Sequence, residues 1–385
     1  MTNIGIGFSV FFWLIKKILN KDWRLIQNPI NIFLVLLLLI SIFSIIHSIR
    51  ISSSLQGIQK LLKYFTLFFI ITETINDTNK LRRVIWVLFL GLTIISLDGV
   101  FQYFTGKDFI RGYIAGNRLC YMGEYSPPRL QASMHNPNSF AVYLITVIPL
   151  AISLALYYFK SIKSWIVSSI WLTAYFCMFH TYQRIVGLAF IIIMSLFSII
   201  KKDIRAILLL LLIIFLSVYF LPRPVLNWMV NHPNPHDFFV EEGGRRLHWQ
   251  AAINMIKAHP LIGVGINTFP LNYTRYKISS DTMTGWYAHN AYLNMAAEIG
   301  LIGLGIFILM LGTIIRNWWR SYKKIDTADL QAFSLGIFGG FIGYLVAGIL
   351  ESNLQYSNLA VLFWFLSGIL VAMINLQAQQ SPNKT

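Results

Sequence analysis

His289-Asn290-Ala291-Tyr292-Leu293-Asn294-Met295-Ala296-Ala297-Glu298-Ile299-Gly300-Leu301-Ile302-Gly303 closes the longest polar stretch of the chain and starts an apolar run that continues to about residue 315. A run of that length suits a helix that crosses a bilayer. The His-Asn pair at its head places a titratable ring at a membrane surface. The remainder of the 385 residues repeats the apolar theme: 56% are hydrophobic and 12% charged, with a mean hydropathy of +0.62. Such a composition excludes a soluble domain, which could not bury so much apolar surface, and defines a polytopic membrane protein.

Working outward from 289–315, further spans are expected at 4–19, 29–47, 57–75, 83–104, 138–158, 164–181, 184–200, 204–221, 331–350 and 357–376, about eleven helices in all. The fold class is therefore an all-α integral membrane protein. The formal charge of +16 sits in short clusters between apolar runs, which makes it a topology signal before it is a nucleic-acid footprint. Lys16, Lys17, Lys21 and Arg24, then Lys80, Arg82 and Arg83, mark two cytoplasmic connections. Lys160 and Lys163, then Lys201, Lys202 and Arg205, then Arg316, Arg320, Lys323 and Lys324 mark three more. The remaining connections then face outward, and the chain reads as transmembrane helices over 1–221 with an outer loop at 105–137, a long outer loop at 222–288 with an amphipathic helix, transmembrane helices over 289–376, and a disordered tail at 377–385. The first span is short and carries Lys16 and Lys17, as an interfacial helix would.

The long loop carries the chemistry. Pro222, Pro224, Pro233 and Pro235 keep its first part irregular, and Gly243-Gly244 precedes Arg245-Arg246-Leu247-His248-Trp249 and a helical pattern to Lys257. Trp249, Ile253 and Ile256 share one face, as in a helix lying on a leaflet. A helix start with two guanidinium groups is an anion site, and the alternative is contact with lipid headgroups alone. His232 and His236 stand four apart, but Pro233 and Pro235 prevent the helical geometry and no third ligand is evident, so no metal site is expected. Gly263-Val264-Gly265 has no preceding strand and reads as the turn into the next segment rather than a dinucleotide fingerprint. Cys120 and Cys177 permit one disulfide in an oxidising compartment without establishing it.

These residues resemble the O-antigen ligase and polymerase superfamily of the WaaL/Wzy type. The resemblance rests on Gly244-Arg245 with Trp249, on His259-Pro260-Leu261-Ile262-Gly263-Val264-Gly265-Ile266-Asn267-Thr268-Phe269, and on His289-Asn290 with Gly300 and Gly303. Thr181-Tyr182-Gln183-Arg184 and His135-Asn136-Pro137-Asn138-Ser139 agree with it, although Gln183 stands where the family usually has Ser. The resemblance implies a GT-C-type bundle of eleven to twelve spans with a large periplasmic loop in the bacterial inner membrane. It further implies transfer of a glycan from undecaprenyl diphosphate to a hydroxyl of lipid A-core or another glycan, without cofactor or metal and with inversion at the anomeric carbon. The chain lacks the large soluble C-terminal extension of the protein-glycosylating relatives, which argues against a protein acceptor.

Within that reading His289 is the expected catalytic base, kept neutral at a helix N-terminus, and Arg184, Arg245 and Arg246 are the expected diphosphate ligands. Asn290, Glu298 and Gly300 support the site. Glu298 lies nine residues past His289, on the opposite face of a continuous helix, and is expected to make an inter-helix polar contact. Asp98 and Glu351, near outer helix ends, are each able to orient an Arg or bind acceptor. Gly336, Gly339, Gly340, Gly343 and Ala347, and Ala296 with Gly300, are small-residue stripes that let another helix approach. Two alternatives stand beside the ligase: a polymerase of the same superfamily, and a small-anion transporter, which would place its charges near the midplane.

Overall fold

The computed structural model describes residues 2–21, 26–115, 128–159, 161–202, 204–219, 245–278 and 285–380. Among these, the secondary structure is thirteen α-helices with short 3-10 turns and no strand. In order they are α1 (Thr2–Asn20), α2 (Ile30–Phe43, continued by a 3-10 turn Ser44–His47), α3 (Ile51–Thr74), α4 (Thr78–Thr105), α5 (Pro137–Tyr157), α6 (Ile162–Phe179) and α7 (Arg184–Lys201). They continue with α8 (Ile204–Tyr219), α9 (Arg245–Ala258), α10 (Phe269–Tyr276), α11 (Ala291–Tyr322), α12 (Ala328–Ala347) and α13 (Ser357–Gln380). Each expected span coincides with a helix over its described residues. Among the described residues eight helices are long and apolar enough to cross a membrane: Ile30–His47, α4, α5, α6, α7, α11, α12 and α13. The protein is thus an all-α, multi-pass integral membrane protein. α8 offers a shorter apolar stretch, Ile207–Tyr219. α1 and α3 carry lysines, and Lys17 of α1 pairs with Glu73 of α3 at 2.9 Å while Trp13 Nε1 donates to the same carboxylate at 2.8 Å.

The chain forms two compact units, Met1–Arg83 with Arg245–Ile325 and Glu351–Thr385, and Val84–Gly244 with Asp326–Leu350. In the second unit, the α12 glycines bring that helix against α5. A side chain at Gly336 would strike the Leu150 backbone, and one at Gly340 would strike the Thr146 carbonyl. Ser153 Oγ reinforces the pair by donating to the Ala332 carbonyl at 2.8 Å. Asp98 is engaged in folding the chain after α4, accepting from the backbone N–H groups of Phe109 (2.8 Å), Ile110 (3.2 Å) and Ser133 (2.9 Å). Cys177 is a buried free thiol, and Cys120 lies outside the described residues.

The first unit departs from the expected reading at α11. The span 289–315 is not one continuous helix: Gly300 adopts φ +76° and ψ 175° and breaks it. The segment after α9 fills the break. Val264 and Gly265 donate from their backbone N–H to the carbonyls of Ala297 (2.9 Å) and Glu298 (3.0 Å), while Leu301 N–H donates to Pro260 O at 2.8 Å. Peptide groups orphaned by the kink thereby regain partners, a requirement at membrane depth. A Cβ on Gly300 would collide with the Leu261 carbonyl, and one on Gly263 with the backbone of Glu298. Gly300 therefore serves the approach of this segment rather than of a neighbouring helix, and Gly263-Val264-Gly265 does more than turn the chain.

α9 buries Arg245, His248, Ala251, Ala252 and Met255, while Ile253, on the face expected to lie on a leaflet, is 37% exposed. Small residues allow the buried face to sit close to α10 and α11, and Ile256 packs partly against the same cluster. One further expectation is corrected here: residues 377–380, read as part of a disordered tail, continue α13 to Gln380, and Gln377 Nε2 donates to Lys324 O at 2.7 Å. The readings of Pro222 to Gly244, including His232 and His236, fall outside the described residues.

Candidate active site

His289 precedes α11 in a left-handed backbone conformation, φ +50°. Asn290 then takes an extended conformation and caps the helix, its Oδ1 accepting from Tyr292 N–H at 3.0 Å and Leu293 N–H at 2.9 Å. Asn294 Oδ1 reaches back to accept from Ala288 N–H at 3.2 Å. Two carboxamides thus fix the turn that presents the imidazole.

The surroundings of that ring come from α9, α10 and the chain after α12. Arg245 and His248, three residues apart, share the inward face of α9. The His248 ring stacks on Tyr273 of α10 at 4.8 Å and meets the His289 ring edge-on at 5.5 Å. Arg245, 8% exposed, pairs with Glu351, 3% exposed, at 3.4 Å. Behind them Ala251, Ala252, Met255, Val264, Phe269, Tyr273, Ala288 and Ala297 form one apolar cluster. Glu298 works at the rear of the site: its Oε1 accepts from Phe269 N–H at 3.0 Å, capping the helix that holds Tyr273. That is a polar contact between helices, as expected of Glu298.

Burial pushes the His289 imidazole down from 6.5 to about 4, and the positive charge of Arg245, then the neighbouring His248 ring, push the same way. The ring is neutral at pH 7. Its Nδ1 is buried without a hydrogen-bond partner among the described residues. A neutral imidazole with an unsatisfied nitrogen beside a charge-paired guanidinium can accept a proton next to a bound anion.

The structure brings together His289, Asn290 and Arg245, with Glu298 and Gly300 supporting them from behind. Arg246 is exposed on the other face of α9. Arg184 belongs to the second unit, where it starts α7, half-buried. Nearby in that unit Arg129 donates to Thr181 O at 2.6 Å and Asn138 Oδ1 at 2.7 Å. His248 and Tyr273 were not singled out by the sequence, and Glu351 was left open. The 245/248 spacing on a helix would have signalled His248, whereas nothing local signals the pairing of Glu351 across 106 positions.

Residues 167–308 match the family model described as O-antigen ligase. A Rickettsia prowazekii protein provisionally named a polysaccharide ligase is 23% identical over 250 residues, covering 62% of this chain and 52% of that protein. A Rickettsia typhi protein of the same provisional name is 24% identical over 132 residues, covering 33% of this chain and 30% of that protein. The exopolysaccharide production protein ExoQ of Rhizobium meliloti is 28% identical over 104 residues, covering 25% and 23%. The chain thus spans about half or less of the length of these curated relatives. The matched segment takes in Arg184, Arg245, His248 and His289, so the stretch that carries the motif resemblance is the one similar to O-antigen ligases.

Proposed function

We propose that the protein is an O-antigen ligase-like glycosyltransferase of the bacterial inner membrane. It moves a glycan from undecaprenyl diphosphate to a hydroxyl of lipid A-core or another glycan on the periplasmic face. The observation that carries this reading is the neutral, buried His289 with its unpartnered Nδ1 beside the Arg245–Glu351 pair. Similarity to the O-antigen ligase model over residues 167–308 supports the reaction class, and the basic clusters between the spans support a periplasmic site.

In this reading the acceptor oxygen attacks the anomeric carbon as the bond from that carbon to the diphosphate oxygen breaks. The acceptor proton passes to His289, and the negative charge on the leaving diphosphate falls on Arg245. Attack opposite the leaving group inverts the anomeric centre. Glu351 holds the guanidinium in place, Asn290 holds the imidazole, and Arg246 is a further donor ligand. Arg245 also ties the steps together: with no donor bound its charge keeps protons off His289, and a diphosphate offsets that charge, raising the ring's proton affinity when the reaction needs it.

The test is transfer by the purified protein, in chelator, from polyprenyl-diphosphate glycan to lipid A-core, with wild type beside His289→Ala. The expected result is product from wild type and none from the variant. Coupling of donor to donor alone would make the protein a polymerase, and the absence of any product from wild type would overturn the transferase reading.

A further inference from the structure

Lys60 belongs to α3, within the span expected at 57–75, where a charge is costly unless it is paired and so marks a functional candidate. Its Nζ donates to Asn267 Oδ1 at 3.0 Å. Asn267 Nδ2 in turn donates to the Ser53 carbonyl at 2.9 Å, so both ends of that carboxamide are held by α3. The approach is close, since a Cβ on Gly57 would strike the Asn267 side chain. Ser54 Oγ, donating to Ile266 O at 3.0 Å, and Ser44 Oγ, accepting from Ile266 N–H at 3.0 Å, fasten the same turn.

At Asn267 the chain turns into α10. The residue adopts a left-handed backbone, φ +59°, and α10 begins two residues later at Phe269. Glu298 of α11 accepts from Phe269 N–H at 3.0 Å, and the positive charge of Lys60 faces that carboxylate in a cleft that both line. The start of α10 is therefore held from α3 through Lys60 and from α11 through Glu298. One turn further along the same face of α10, the Tyr273 ring stacks on His248, and His248 meets the His289 ring. Phe269 and Tyr273 are fully buried in a close-packed cluster, so a shift at the start of α10 is carried to Tyr273 rather than absorbed on the way.

We propose that Lys60 is a positioning residue for His289, acting through Asn267 and Glu298 on the helix that carries Tyr273. Its service to transfer rests on the transferase reading, whereas its hold on the His289 ring does not.

The test uses the full-length protein in detergent. Carbethoxylation of His289 by diethyl pyrocarbonate, followed by peptide mass spectrometry without substrate, reports the setting of that ring, and His180, half-buried in the second unit, reports general loosening. Lys60→Met is expected to raise the His289 rate about tenfold with His180 unchanged, and Lys60→Arg, which keeps the charge and a donor, to stay within about twofold of wild type. If Lys60→Met raises both rates, Asn267→Gly takes its place, because it keeps the left-handed turn and removes only the carboxamide. In transfer assays Lys60→Met is expected to lower kcat about 10–100-fold with KM within about twofold, the mark of a displaced group rather than a lost substrate contact. Lys60→Met combined with Glu298→Gln is expected to lose less than the product of the two single losses, since both act on one helix start. An unchanged His289 rate in Lys60→Met and Asn267→Gly, an equal rise at His180 in both, a rise in KM alone, or strictly multiplicative losses overturns the proposal. Failure of the transferase reading gives a different pattern: His289→Ala transfers normally, while the His289 carbethoxylation rate still follows Lys60.

Discussion

His135-Asn136 and His289-Asn290 match almost angle for angle. Both histidines are left-handed, with φ +62° and +50°. Both asparagines are extended, φ −149° and ψ 123° against φ −156° and ψ 112°, and each caps the helix that follows by accepting from the N–H groups two and three residues on. Their settings differ. His135 and Asn136 are exposed, and the His135 ring leans on Tyr113 at 4.7 Å. Asn290 is 9% exposed, and His289 meets His248 within an assembly that also holds Arg245. The dipeptide thus dictates a backbone, and the surroundings dictate a reactivity.

The largest expected effect separates the two histidines. His289→Ala lowers glycan transfer by about 10²–10⁴-fold, the usual worth of a general base, while His135→Ala leaves it within about twofold. Initial rates on the two variants check this, and equal rates break the comparison. The pH profile sharpens it. The folded-state value for His289 lies below its ordinary 6.5, so the proton-accepting form persists above that and is lost as pH falls through about 4. Its contribution to stability has the same sign, complete above 6.5 and lost as pH falls toward about 4. Arg245→Gln removes a positive neighbour, so the acid limb of the rate profile moves to higher pH.

The next effect concerns stability. Arg245→Ala leaves Glu351 buried without its guanidinium and costs about 3–5 kcal/mol, whereas Arg246→Ala, on the exposed face, stays within about 0.5 kcal/mol; denaturant unfolding distinguishes them. Gly300→Ala is expected to cost about 1–3 kcal/mol, through the left-handed backbone and the Leu261 carbonyl, and to lower the unfolding temperature. The smallest effect returns to the pair of turns. Asn136→Ala and Asn290→Ala each lose one cap, about 1 kcal/mol, but only Asn290→Ala also slows transfer, because only there does the turn aim a reacting group. A slowed Asn136→Ala would show that the first turn is not merely structural.

The helices were legible because bilayer length and apolarity are local properties, and each expected segment lies on a helix. The close approach along Gly336 and Gly340 was equally local. The break at Gly300 was not, because its cause lies some 40 residues earlier, at Leu261 (300 − 261 = 39). Arg245 was visible as a charge near a glycine pair, but Glu351 became its partner only through tertiary folding. The neutral state expected of His289 agrees with the structure, though its first cause is burial rather than the helix N-terminus.

The break at Gly300 also sets what the outer end of α11 responds to. Ala291–Ile299 is fastened to residues 260–265 by hydrogen bonds on both sides of the gap, and the remainder of the helix continues from Leu301. A bilayer that thickens or thins acts on the longer piece by tilting it. Residues 260–265 bond to Ala297 and Glu298 before the gap and to Leu301 and Ile302 after it, so the joint is splinted and that tilt is carried across it. The aim of His289 is thereby coupled to membrane thickness, and transfer should vary between bilayers of short and long acyl chains.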